Sequence, residues 1–350
     1  MKIVLLGDLM LGRLVDAWLE HRPASAPWGI FLERIRGGDF SLANLECVLS
    51  TGGTPWRPER KLFHFQASPD RVRVLEAASL DAVTLANNHT LDFGPAALGE
   101  MLGTLSRHCI PACGAGRTER EAVAPIMREC RGIRLGVLAC TDNEPEWAAS
   151  PHTPGVCYVA IDHPDESTER FLAAVREARQ QAEVVIVSVH WGGNWGASPE
   201  VEHCRFGRAL VEAGADIVFG HSSHVFRGIE YLPEGVILYG AGDCINDYRI
   251  DPVERNDLVF LYEVTLKENR VDHVALVPGR IERGCIVHPA EAECRWMFAR
   301  MEERCGALGT RLEVGRSGEG VVQRSRRVLR EEQGARRGAV HDLRLPPRER

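Results

Sequence analysis

The feature that most constrains this chain is a series of short apolar runs that stop abruptly on side chains able to bind metal. Ile3–Leu6 leads into Gly7-Asp8, Phe40–Leu45 into Asn44-Leu45-Glu46, and Ala82–Leu85 into Asn87-Asn88-His89. Val184–Val189 leads into His190-Trp191, and Ile217–Phe219 into Gly220-His221-Ser222-Ser223-His224. Further strand candidates are Leu135–Leu138, Val236–Tyr239, Leu258–Val264 and Val271–Val277. Helical spacing marks Pro69–Ala78, Ala96–Arg107, Glu166–Ala182, Val201–Glu212 and Ala290–Cys305. The last has Cys294, Met297, Phe298 and Met301 near helical spacing and Glu at its start, as the macrodipole favours. Strands alternating with helices predict an α/β fold. The last strands, near 236–278, have no intervening helix and are expected as antiparallel neighbours, so the sheets are mixed. Ligands of α/β sheets bind outside the carboxyl ends of the strands. Five strand ends of this kind therefore predict one edge rich in oxygen and nitrogen donors.

Carboxylates and imidazoles bind divalent ions such as Mn, Fe or Zn. No cysteine is placed to join them as a thiolate, which argues against a structural zinc site. Singly, each residue has a plainer reading. Asp8 suits a helix N-cap, with Leu9–Leu19 as the helix. Asn87 and Asn88 suit a turn, and His89 or His190 alone suits a hydrogen-bonded core position. The joint pattern carries the metal reading.

Composition sets the outer limits. The chain has 350 residues, with 42 basic and 49 acidic side chains and a formal net charge of −7. This gives no footprint for nucleic acid, and no apolar window is long enough to span a membrane. The apolar run after Met1-Lys2 is too short for a signal-peptide core. Eleven dispersed cysteines with no C-x-x-C pair suggest reduced thiols, so a cytoplasmic protein is expected. Of the basic residues only Lys2, Lys61 and Lys267 are lysine. Residues 324–350, with nine Arg against four acidic residues, read as a flexible tail. The expected organisation is a domain over 1–285, a helical extension over 286–323 and that tail.

Gly7-Asp8-Leu9-Met10-Leu11-Gly12-Arg13, Asn44-Leu45-Glu46, Ala86-Asn87-Asn88-His89, His190-Trp191-Gly192 and Gly220-His221-Ser222-Ser223-His224-Val225 together resemble the bacterial capsule-synthesis protein (CapA) family. That family is linked to poly-γ-glutamate synthesis and is similar to calcineurin-like metallophosphoesterases; the resemblance runs from residue 1 to about 250. It implies a four-layer α/β/β/α sandwich of mixed sheets with two divalent metal ions at the strand ends. Carried over, Asp8 and His224 are expected at the first metal, Glu46 as the bridging carboxylate, and Asn88, His190 and His221 at the second metal. His89 is expected to act on the transition state or leaving group. Arg13 suits an anionic substrate group or a surface ion pair. Trp191, Asn194 and Trp195 are expected either to wall the pocket or to pack their loop. Two departures stand out. Met10 replaces the histidine usual in the first motif of calcineurin-like enzymes, and its thioether is a poor ligand for a hard ion. Asp243 stands where the family has Asn, and suits either the pocket or a turn.

The resemblance implies a metal-dependent hydrolase acting on a phosphoester or a γ-glutamyl-type amide. The substrate would be a small molecule or polymer fragment bearing carboxylate or phosphate. The alternative is a non-catalytic, metal-binding accessory subunit of a polymer-synthesising complex.

Overall fold

A computed structural model describes residues 1–57, 61–314 and 320–323. The Arg-rich segment 324–350 lies outside the described residues. Two mixed sheets dominate. The first runs Arg311–Val314, Gly320–Gln323, Arg270–Glu282, Leu258–Lys267, Lys2–Leu9, Phe40–Leu45, Ala82–Thr84, Ala112–Cys113, with Asp243–Ile245 beside Lys2–Leu9. The second runs Ile229–Tyr231, Val236–Leu238, Ile217–His221, Val184–His190, Ile133–Thr141, Ile126–Cys130.

Strand alternation explains the layering. In Lys2–Leu9, Ile3 and Leu5 face one way and meet Val184, Ile186, Ile217 and Phe219 of the second sheet. Val4 and Leu6 face the other way, toward Leu75, Leu98, Met101 and Leu105 on helices. In Val184–His190 the outward set, Val185, Val187 and Val189, packs on Phe171, Val175, Phe206 and Leu210 of two further helices. Helices, sheet, sheet and helices are thus four layers with three apolar cores. Strands buried on both faces need near-continuous apolar sequence, which is why the runs show so clearly.

The expected antiparallel group near 236–278 divides between the sheets. Val236–Leu238 pairs parallel with Ile217–His221, while Leu258–Lys267 and Arg270–Glu282 form the antiparallel pair in the other sheet. The segment from 286 contributes the helix Glu291–Ala307 and also two strands to the first sheet. Met297, Phe298, Met301 and Cys305 from that helix join the core between the sheets. All eleven cysteines are free thiols. Among the described residues no helix is long and apolar enough to cross a membrane.

Both sheets bring parallel strands to a common edge. Lys2–Leu9, Phe40–Leu45 and Ala82–Thr84 are mutually parallel neighbours. So are Ile133–Thr141, Val184–His190 and Ile217–His221. Their carboxyl ends carry the residues described next.

Candidate metal centre

Asp8 ends the central strand of the first sheet and stands in register with Asn44 on one side and Asp243 on the other. Gly7 makes this arrangement possible. A Cβ there would lie 1.9 Å from the Gly242 carbonyl oxygen, so only glycine lets the Ala241–Asp243 backbone come alongside. The pairing register shifts at this point, and Asp8 N–H donates to Gly242 O at 3.0 Å. Asp8, Glu46 and Asp243 are all buried. Burial pushes all three carboxyls above their ordinary range, and repulsion from neighbouring carboxylates adds to the rise at Asp8 and Glu46. The contacts to them are modest: Asn44 Nδ2 donates to Asp8 at 2.7 Å, Tyr248 Oη to Glu46 at 3.3 Å, and Asn246 Nδ2 to Asp243 at 2.6 Å. His224 Nδ1 lies 2.9 Å from Asp243. That carboxylate draws the His224 pKa upward against burial, which pulls it down.

His190 and His221 face this group from the second sheet, paired in register with Nδ1 to Nδ1 at 2.8 Å. A hydrogen-bond chain fixes their protons. Asn44 Oδ1 accepts from Thr84 Oγ1 at 3.2 Å, and Thr84 Oγ1 accepts from Ser188 Oγ at 3.1 Å. The Ser188 hydroxyl, having given its proton to Thr84, must accept from His221 Nε2 at 2.7 Å. His221 Nδ1 is then a bare acceptor, which takes the His190 Nδ1 proton and leaves His190 Nε2 bare. That nitrogen is buried with no hydrogen-bond partner, as is Asn88 Oδ1. Burial holds both imidazoles neutral, His221 down to about 3 and His190 well below its ordinary value. Neutral imidazole is the form that binds metal.

The donor atoms form two groups, each within 4.8 Å: Asp8, His190 and His221, and Asp8, Glu46, His224 and Asp243. Buried carboxylates stacked together, two orphaned lone pairs and neutral imidazoles are a donor set that fits divalent cations. Asp8 is the residue common to both groups. Glu46, expected as the bridge, stands in one, with its Oε1 3.9 Å from His190 Nε2. Met10 is buried in the core, and its sulfur accepts from Gly12 N–H. Asp243 supplies a hard oxygen instead, at a position where the sequence suggested pocket lining or a turn.

His89 is held next to this cluster. Its ring stacks on Phe65 with centroids 3.8 Å apart, and its Nδ1 lies 2.5 Å from Asp92 Oδ2. Burial brings its pKa down to about 4 against the upward pull of Asp92. Lys61 Nζ pairs with Asp92 Oδ1 at 2.9 Å and donates to the Asn88 carbonyl. Asn87 builds the turn: its amide donates to Asn44 Oδ1 and Leu45 O, and its Oδ1 accepts from His89 N–H. Ser222 adopts a positive φ of 98° between the last two histidines, and its N–H donates to Asp8.

Three expected residues sit elsewhere. Trp191 is fully buried in the outer core, stacked on His203 and Tyr239, with its Nε1 donating to Tyr239 O. It follows His190 directly, so its side chain takes the opposite face of the strand. Asn194 is exposed and reaches the site only through its carbonyl, which accepts from His224 N–H. Arg13 stands at the rim. It pairs with Asp247 at 3.4 Å, and its guanidinium lies against Phe63 and Phe65. Sequence reading assigned no role to Ser188, Asp92, Phe65 or Tyr248. Only Asp92, three residues after His89, left a signal in the spacing.

Comparison with known proteins agrees with this architecture. The model for "Bacterial capsule synthesis protein PGA_cap" matches residues 2–248. The chain is 30% identical to a "Probable polyglutamine synthesis accessory protein" of Mycobacterium tuberculosis, covering 89% of this chain and 92% of that one. It is 29% identical to the "PGA biosynthesis protein CapA" of Bacillus subtilis, over 69% of this chain and 62% of that one. A solved structure of a hypothetical protein from Thermus thermophilus superposes with a TM-score of 0.50 at 16% identity, covering 81% of this chain and all of that one. That likeness is one of fold.

Proposed function

Since the chain belongs to the bacterial capsule synthesis protein family PGA_cap, we propose that it is a metal-dependent hydrolase acting on a phosphoester or a γ-glutamyl-type amide. The observation that carries this reading is the pair of overlapping donor groups sharing Asp8, with His89 beside them. Calcineurin-like metallophosphoesterases, which the motif set resembles, use such a layout. Glu46, Asp243, His224 and Asp8 would hold one ion, and Asp8, His190, His221 and Asn88 a second. Bound there, divalent ions supply Lewis acidity and a water nucleophile at neutral pH.

The chain's own residues do the rest. Asp92 accepts the Nδ1 proton of His89 and so leaves Nε2 as the working atom. The buried ring is neutral at pH 7; its Nε2 takes the proton that the attacking water gives up and passes it to the leaving group, with Asp92 stabilising the intervening imidazolium. Phe65 holds the ring plane, and Lys61 holds Asp92 and the Asn88 carbonyl.

The test is hydrolysis of p-nitrophenyl phosphate and γ-glutamyl-p-nitroanilide with added Mn, alongside elemental analysis. Turnover of either, lost together with metal in Glu46→Ala and His221→Ala, supports the hydrolase. Metal bound with no turnover of either favours an accessory role, the word used in the name of the mycobacterial relative. Metal content unchanged in both variants contradicts the ligand assignment.

A further inference from the structure

Lysine is rare in this chain: of 42 basic residues only Lys2, Lys61 and Lys267 carry an ammonium. Lys2 stands at the far end of the strand that brings Asp8 to the site, and Lys267 is exposed at the end of Leu258–Lys267. Lys61 alone of the three sits beside the metal centre, with its side chain 14% exposed. Its Nζ meets three acceptors. Asp92 Oδ1 lies at 2.9 Å, Glu144 Oε1 at 3.1 Å, and the Asn88 carbonyl accepts the third bond. The face of Trp147 closes the remaining side, its ring centroid 4.3 Å from Nζ. Asn88 and Asp92 belong to the turn that follows Ala82–Thr84 of the first sheet, whereas Glu144 and Trp147 follow Ile133–Thr141 of the second. One side chain therefore ties the His89 turn to the opposite sheet.

The arrangement suits an ammonium and not a guanidinium. An ammonium turns three donors on a flexible stem, while a guanidinium presents its donors in one plane. Three acceptors converging from two sheets above an aromatic face match the first. The Asp92 carboxylate, fully buried, divides its oxygens accordingly. Oδ2 takes His89 Nδ1 at 2.5 Å and Phe65 N–H at 2.7 Å. Oδ1 has Lys61 as its one partner among the described residues. Glu144 holds a left-handed φ of 53°, a conformation that a non-glycine residue keeps only where its surroundings fix it. Lys61 supplies part of that fixing.

We propose that Lys61 is a positioning residue for His89, its ammonium locking the Asp92 carboxylate, the Asn88 carbonyl and the Glu144 turn into one unit so that His89 carries its hydrogen on Nδ1 and keeps Nε2 free. The cause is electrostatic. A buried carboxylate deprived of its cation gains by taking up a proton. Asp92 would then donate to His89 Nδ1, the ring would carry its own hydrogen on Nε2, and the nitrogen that transfers the proton would be blocked. Lys61 thus governs rate with no share in holding metal. The inference rests on the hydrolase reading for the use made of Nε2; the state of the ring itself is measurable without turnover.

The test is nitrogen NMR of the full-length chain carrying isotope-labelled histidine, with and without added Zn, since the two tautomers differ in their ring-nitrogen shifts. The signals lost in His89→Gln identify the ring. His89 is expected as the Nδ1–H tautomer in the native chain and as the Nε2–H tautomer in Lys61→Ala, with zinc content unchanged by elemental analysis. Propylammonium, which replaces the atoms removed in Lys61→Ala, is expected to restore the native tautomer, and guanidinium is not. Lys61→Arg keeps the charge and is expected to remain disturbed; it supplies the same reading should Lys61→Ala fail to fold. A native His89 signal in Lys61→Ala or in Lys61→Arg, or zinc lost from either folded variant, would overturn the proposal. Should the p-nitrophenyl assays show turnover, kcat in Lys61→Ala is expected to fall about 10–100-fold, the usual loss when an outer partner is removed, with KM little changed; an equal kcat would overturn it too. Absence of turnover in the native chain counts against the hydrolase reading alone, and the tautomer then decides on Lys61.

Discussion

His89 and Ser188 separate chemistry from metal binding at the residue scale. His89 lies outside both donor groups, so His89→Ala is expected to keep full metal content while the rate falls ~10²–10⁴-fold, the usual contribution of a positioned acid–base group. Kinetics paired with elemental analysis of the same preparation checks this. Ser188→Ala should do the reverse. Without the hydroxyl, nothing fixes the His221 Nε2 proton, the ring is free to present the wrong tautomer, and metal affinity should drop about 10–100-fold, as when a metal ligand loses its outer partner. Competition with a fluorescent chelator measures that, and an unchanged affinity would mean that the Ser188–Thr84–Asn44 chain does not set the tautomer. The ligand types were legible in the sequence because acids and histidines interrupt apolar runs. Ser188 was not, because a serine inside Val184–His190 looks like an ordinary small strand residue. Trp191 misled for a related reason: adjacency to His190 in sequence means opposition across the strand.

Single backbone positions control the geometry at the scale of elements. Gly7→Ala would drive a Cβ into the Gly242 carbonyl and so force Asp243–Ile245 away from Lys2–Leu9. Overpacking of this kind costs ~1–3 kcal/mol. The expected result is a lower urea midpoint together with lost metal, since Asp8 and Asp243 separate; a stable variant with full metal content would contradict the role given to that strand. This strand also shows where sequence reading ran out. Phe40–Leu45, Val184–His190 and the helix Val201–Glu212 match their predicted bounds closely, because burial on both faces or one clean apolar stripe writes a strong pattern. Asp243–Ile245 is three residues long and carries too little periodicity to register, so the sequence alone does not decide between pocket and turn for Asp243. The split of the 236–278 strands between two sheets was equally hidden, because a run's apolar character does not name its partner.

The molecule as a whole is two sheets packed on a shared apolar core that meet at one edge, where the first supplies carboxylates and the second neutral imidazoles. Without a cation the buried carboxyls hold protons at pH values where an exposed carboxyl has lost them. Metal binding displaces those protons, so the metal-free form carries more protons than the loaded form, and stabilisation by metal must grow as pH rises. At 100 times Kd, binding adds about 2.7 kcal/mol. The rise in Tm on adding Mn is therefore expected to be several degrees at pH 7.5 and clearly smaller at pH 5.5. A rise that is the same at both values, or larger in acid, would contradict the protonation pattern. The most direct measurement is anomalous diffraction from crystals grown with Mn. Two peaks are expected, one among Asp8, His190 and His221 and one among Asp8, Glu46, His224 and Asp243. No peak at this edge from protein equilibrated with millimolar Mn, or Mn bound only at other residues, would contradict the account.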